Sequence, residues 1–192
     1  MGQNNQASMS HQQAELRRRT LTMLAGRKLL APGTAKEQDE PLTIYHQPAW
    51  RGIAPGHEPQ ALMDSSARQR NLVALAHATP AAAADLCAAW IERVFACMGL
   101  GVVTGDATAL YHDWCRLSDP RELRVGMVVA VPAHPYGNGG RSWGHVGLYM
   151  GDGNVRHCNN GRVSTVPLEA WLSVYGVMAE PRWGWLGGIA LG

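Results

Sequence analysis

Residues 145–158 constrain this chain more than any other stretch. HVGLYM alternates with period two, GDG follows as a strong turn signal, and NVRHC runs back. Such a pattern predicts a β-hairpin, because alternate side chains of a strand share one face and Asp-Gly accepts the positive φ of a tight turn. The hairpin carries one histidine near each open end, His145 and His157, twelve positions apart. Folded about Asp152, it brings the two imidazoles near one another as cross-strand neighbours. One histidine beside another can fix its tautomer and orientation, the part that an Asp or Asn plays in catalytic triads. A general base with an orienting partner then asks for a nucleophile.

The four cysteines, Cys87, Cys97, Cys115 and Cys158, are too sparse for a disulfide scaffold and form no CxxC pair. Only Cys87 has a catalytic context. DLCAAWIERVFACMGLG spaces Cys87, Ile91, Val94 and Met98 as one stripe of a helix, with Asp85 as its expected N-cap and Gly99 or Gly101 as its stop. A thiol in a first helical turn is expected to ionise more readily, since the dipole and free N–H groups favour the thiolate. Cys158 follows His157 directly and so points to the other strand face, while Cys97 and Cys115 read as helix-face or core residues. A metal site from Cys87, His145, His157 and Cys158 has suitable ligand types but no metal-ligand spacing, so neither metal nor cofactor is expected.

Around these residues the expected order is helices first and an antiparallel meander after, which is an α+β fold. ARQRNLVALAHA and TGDATALYHDWC read as further helices, the latter starting near Thr104 or Asp106. A buried strand is expected over 127–131, and PAHPYGNGGRSW reads as a glycine-rich loop. GRVSTV reads as a strand, PLEAWLSVY as a helix opened by Pro167, and PRWGWLGG as a terminal strand. Trp143, two places before His145, is expected at the substrate cleft with Asp85 and Asn159; Asn159 is also the reserve for the orienting role of His157. His112 and His134 are expected at the surface, with His134 in reach of substrate.

Residues 1–66 are rich in Gln, Pro, Gly, Ser and His and read as a polar leader, partly disordered or docked through Tyr45 and Trp50, with one short helix in RRRTLTMLAGRKLL. Residues 67–192 then form the catalytic domain. The net charge of +2 gives no case for nucleic acid, and the bunched arginines 17–19 read as a solvated tail. No run approaches the roughly 18 apolar residues of a membrane span, and no secretory signal peptide is recognisable.

LCAAWIERVF followed by GDATALY resembles the C-x-x-W-V and G-N-A-x-x-W elements of CHAP domains, the cysteine, histidine-dependent amidohydrolases/peptidases. LRVGMVVAV resembles a strand shared by CHAP and NlpC/P60 domains, and GHVGLYMGDGNVRH is similar to the NlpC/P60 histidine strand. The resemblance spans roughly residues 68–190. It departs at the nucleophile, where Leu86-Cys87-Ala88-Ala89 replaces the Asp-Cys-Ser-Gly of NlpC/P60, and at the third position, where CHAP domains carry Glu or Asn.

The resemblance implies a papain-like α+β fold with a nucleophile helix packed on the sheet that carries the base. It implies a cysteine peptidase or amidase acting on peptidoglycan, cutting either the stem peptide or the N-acetylmuramoyl-L-alanine amide. Cys87 is then the nucleophile, His145 the base and His157 the orienting residue. A same-fold acyltransferase or transamidase and a non-catalytic wall-binding module are the alternatives. The expected setting is a monomer made in the cytoplasm that reaches the bacterial wall after phage or mobile-element release, or by an unconventional export route.

Overall fold

The computed structural model describes residues 60–192. The expected leader helix and the docking of Tyr45 and Trp50 lie outside the described residues.

The first helix, α1 (Gln60–Met63), starts on the hairpin turn. The Gln60 and Ala61 amides, which have no partner inside the helix, donate to the Asp152 carboxylate, and Leu62 is buried. The second, α2 (Ala67–Ala78), opens with a capping box: the Gln69 amide donates to Ser66 Oγ, and the Ser66 amide to Gln69 Oε1. Pro80 follows its last turn, as expected of a helix stop. Then come α3 (Cys87–Cys97) and α4 (Ala107–Trp114), the latter capped by Asp106, whose Oδ1 accepts from the Ala109 amide at 2.8 Å. Strand β1 (Val128–Val131) leads through the short α5 (Gly140–Trp143) into β2 (His145–Gly151). Strands β3 (Asn154–Asn159) and β4 (Arg162–Pro167), helix α6 (Leu168–Tyr175) and strand β5 (Arg182–Gly184) complete the elements used below.

The five strands form one antiparallel sheet in the order β4-β3-β2-β1-β5. The expected terminal strand is realised only in its first half: Arg182–Gly184 pairs with β1, and a 3-10 turn over Leu186–Gly188 follows. Because strand side chains alternate, the sheet has two distinct faces. On one, Val128, Ala130, Val146, Leu148, Met150 and Cys158 share a core with Leu72, Trp90, Ile91 and Val94 of the N-terminal helices. On the other, Val129, Val131, Val155 and Trp183 meet Trp171 and Tyr175 of α6. The architecture is α+β, as the element order predicts. Among the described residues no helix is long and apolar enough to cross a membrane.

Leu148 is fully buried at the centre of the first face. Leu148→Ala is expected to lower unfolding stability by about 2–5 kcal/mol in urea titrations. Val177→Ala, at a position 57% exposed, should stay within about 0.5 kcal/mol of the parent.

Candidate active site

Cys87 is the first helical residue of α3, as its spacing predicts, but the approach to it differs from expectation. Leu86, not Asp85, occupies the N-cap position, and no side chain caps the helix there. Asp85 lies one place further out, exposed and with φ at 63°. Asp is among the few non-glycine residues that take this left-handed conformation readily, and the packing around the bend holds it there. On one side Ala82 is buried and its carbonyl receives the Cys158 thiol at 3.6 Å. On the other, Trp90 Nε1 donates to the Thr79 carbonyl. These contacts hold the segment against the sheet and deliver Cys87 to the start of β2.

The sulfur meets backbone rather than an imidazole: the amides of Val146, Ala88 and Cys87 itself act on it and favour its thiolate. The β2–β3 ladder stops at Gly147↔His157, so Val146, the next residue toward the start of β2, is free to turn its amide to Sγ. One peptide bond separates that amide from His145. The amides do not dominate the thiol's ionisation. Burial outweighs them and pushes the Cys87 thiol up to about 11. The expectation of a depressed thiol is overturned, because dehydration of the sulfur counts for more here than the helix start.

His145 and His157 are joined directly, Nε2 of His145 lying 2.8 Å from Nδ1 of His157. They are not a directly opposed pair. His157 stands across from Gly147, two places along from His145, so the rings meet on the diagonal, within reach of long side chains. Two features allow this. First, Tyr149 pairs with Val155 and Gly151 with Asn154, so Met150 is an extra residue on β2, a bulge. Without it, His157 would stand across from Leu148 and point to the opposite face of the sheet. Second, residue 147 has no side chain. A Cβ there would lie 2.5 Å from Val155 Cγ1 and 3.3 Å from His157 Cβ.

The pair sits in an aromatic compartment. The His145 ring stacks on Tyr175 with centroids 4.1 Å apart and planes at 26°, with Trp171 beyond at 5.9 Å. His134 stands edge-on to it at 5.8 Å. Burial, helped by the neighbouring imidazoles, holds His145 well below the usual histidine range, and burial alone lowers His157 to about 4. Both rings are therefore neutral at neutral pH. Nε2 of His157 and Nε1 of Trp171 and Trp183 are buried with no hydrogen-bond partner among the described residues. Using Nε2 for His157 leaves Nδ1 of His145 as the nitrogen to act on another group.

The remaining predicted residues are placed as follows. Trp143 closes α5 directly before the Gly144–His145 step and is 42% exposed. Asn159 ends β3; continuing the register by two sets it across from His145 on the same face. Cys158 is buried on the helix-covered face, away from His157, as strand alternation predicts. Cys97 is exposed and Cys115 buried. Among the described residues no cluster of His, Cys, Asp or Glu is arranged to hold a metal ion. His112 is exposed, but His134, expected at the surface, is buried. Tyr175 is the member of the site that sequence reasoning missed. Its signal was its place four residues after Trp171 on a helix that follows the histidine hairpin. No family model matches the chain, and no curated protein matches it.

Two outcomes follow from this geometry. Gly147→Ala should separate the imidazoles with a modest stability loss. Long-range ¹H–¹⁵N NMR should then show His157 released from the fixed tautomer of the parent protein. The pH dependence of stability has a definite sign. Between pH 6.5 and about 4 the unfolded chain protonates His157 while the folded chain does not, so stability must fall as pH falls through that window. His157→Asn should flatten the slope of unfolding free energy against pH there.

Proposed function

We propose that the chain is a thiol-dependent amide hydrolase of the CHAP and NlpC/P60 type, with a papain-like arrangement of nucleophile helix and base-carrying sheet. The observation that carries this reading is the 2.8 Å bond between Nε2 of His145 and Nδ1 of His157, with the Cys87 sulfur held by the amide adjoining His145. That bond fixes the His145 ring through Nε2 and leaves Nδ1 for the base's work.

In this mechanism the resting pair is thiol and neutral imidazole. As Sγ attacks the carbonyl carbon, Nδ1 of His145 takes the thiol proton, and Nε2–H donates to Nδ1 of His157. The new imidazolium lies flat against Tyr175, whose ring face favours a cation. The oxyanion forms at the start of α3, where backbone N–H groups have no side-chain cap competing for them. The nitrogen–carbon bond breaks as His145 returns the proton to the leaving amine. Water, deprotonated by His145, then cleaves the thioester. Peptidoglycan is the substrate that the sequence resemblance supports, through its stem-peptide amides or its sugar–peptide amide. Transfer to an amine in place of water shares every step but the last.

Incubation with purified peptidoglycan, followed by mass spectrometry of released fragments, tests the reading. Shortened stem peptides indicate an endopeptidase, free lactyl groups on the amino sugar an amidase, and adducts with an added amine a transferase. Cys87→Ala should lower release by at least about 10³-fold with an unchanged unfolding midpoint. Full release by Cys87→Ala would end the proposal.

A further inference from the structure

The segment Pro132–Gly144 joins the end of β1 to the base, and His134 ties it together. The His134 amide donates to the Gly140 carbonyl at 2.9 Å. Its Nδ1 accepts from the Tyr136 amide at 3.3 Å, the Gly144 carbonyl acts on its ring and favours its protonated form, and the Gly140 carbonyl that takes its amide also takes the Gly144 amide at 3.3 Å. With Nδ1 accepting, the ring proton lies on Nε2. The fit is close: a Cβ on residue 140 would fall 2.5 Å from His134 Cε1.

Gly144 is the residue on which the base turns. Its φ is 64°, and a Cβ there would lie 2.1 Å from the Val131 carbonyl oxygen. Only glycine fits, and a glycine does little by itself to hold its peptide plane. The restraint has to come from outside, and His134 supplies it through the Gly140 carbonyl it shares with the Gly144 amide and through its ring beside the Gly144–His145 step. The ring also packs edge-on against Tyr175 at 5.1 Å and His145 at 5.8 Å, so one side chain touches both the peptide preceding the base and the ring on which the base stacks.

We infer that His134 is a positioning residue of this site: it fixes the Gly144 peptide and thereby the direction of the His145 imidazole, without touching the reacting atoms. The inference rests on the hydrolase reading for its kinetic consequence but not for its structural one. A displacement of about 1 Å at a catalytic group costs on the order of 10²-fold in rate, so the effect belongs in kcat.

The test uses His134→Phe, which keeps a ring edge against Tyr175 and removes both ring nitrogens, and His134→Gln, which keeps an N–H donor. On peptidoglycan fragments His134→Phe should lower kcat by about 10- to 100-fold with KM within about 2-fold, and His134→Gln should recover part of the loss. The second readout needs no substrate: the His145 Cε1–H resonance should shift and broaden in His134→Phe, and its titration should move up toward the ordinary histidine range as the His134 contribution is lost. An unchanged resonance and kcat in folded His134→Phe would overturn the inference, as would a change confined to KM, which marks a substrate contact. Should His134→Phe not fold, the resonance of His134→Gln decides by the same criteria. If the parent protein cleaves nothing, the hydrolase reading fails, and the resonance alone decides for His134.

Discussion

The site depends on a single surplus residue in β2. In a hairpin turned on Asp152–Gly153, pairing starts at Gly151 and Asn154. Even pairing from there would put His157 on the same face as Leu148, among the side chains that pack under the N-terminal helices. Met150 shifts the register by one, and every β3 side chain beyond it changes face. His157 and Val155 then enter the compartment under α6, and Cys158 enters the helix-side core. The bulge therefore sorts two adjacent residues into two jobs. His157 bonds His145, and Cys158 grips the carbonyl of Ala82 ahead of Cys87.

Electrostatics follows from that sorting. A compartment walled by Tyr175 and Trp171 makes charge expensive, so both imidazoles are neutral; the Cys87 thiol, packed against the helix-side core, is pushed up by its own burial. A thiol at about 11 needs roughly 5 kcal/mol to ionise at neutral pH, since each unit corresponds to about 1.4 kcal/mol. The raised thiol and the lowered imidazole both work against a pre-formed thiolate–imidazolium pair at rest. In the proposed chemistry the proton leaves sulfur as the carbon–sulfur bond forms, when negative charge passes to an oxygen that the α3 amides can hold. The stacked Tyr175 face is placed for the moment when His145 becomes a cation.

The sequence carried the parts whose signals are local. The GDG turn, the apolar stripe of α3 and the element order all follow from side-chain periodicity and turn chemistry. Three features do not. The bulge at Met150 is silent, because HVGLYM alternates equally well with or without an extra residue before the turn. The raised thiol depends on dehydration by groups distant in sequence, and a helix-start argument sees only the amides. His134 lies in PAHPYGNGG, whose prolines and glycines signal a surface loop. It is buried because its hydrogen bonds to Gly140 and Tyr136 and its ring contacts fold that loop onto Tyr175 and His145, which no local pattern encodes. Asp85 was misplaced as a cap because its residue type suits the role, whereas the bend that packing imposes puts Leu86 there.

A histidine in the third position sets a condition that a carboxylate would not. The neutral pair holds one proton between nitrogens 2.8 Å apart. When it sits on His145, Nδ1 of His145 is a free base, but His157 must carry its own proton on Nε2, an atom buried without a partner among the described residues. When it sits on His157, that nitrogen is only an unused acceptor, but Nδ1 of His145 is then protonated and cannot act as a base. Leaving a buried N–H unpaired costs on the order of 1–3 kcal/mol, so the compartment favours the idle arrangement, and in the proposed chemistry the attacking thiol must draw the pair into the other. An Asn or Glu oxygen at position 157 could accept from Nε2 without rearranging a proton of its own. In the proposed chemistry the base strength of His145 is therefore tied to how well the compartment tolerates one unpaired N–H, and the residues packed around His157 Nε2 would govern it without reaching the scissile bond.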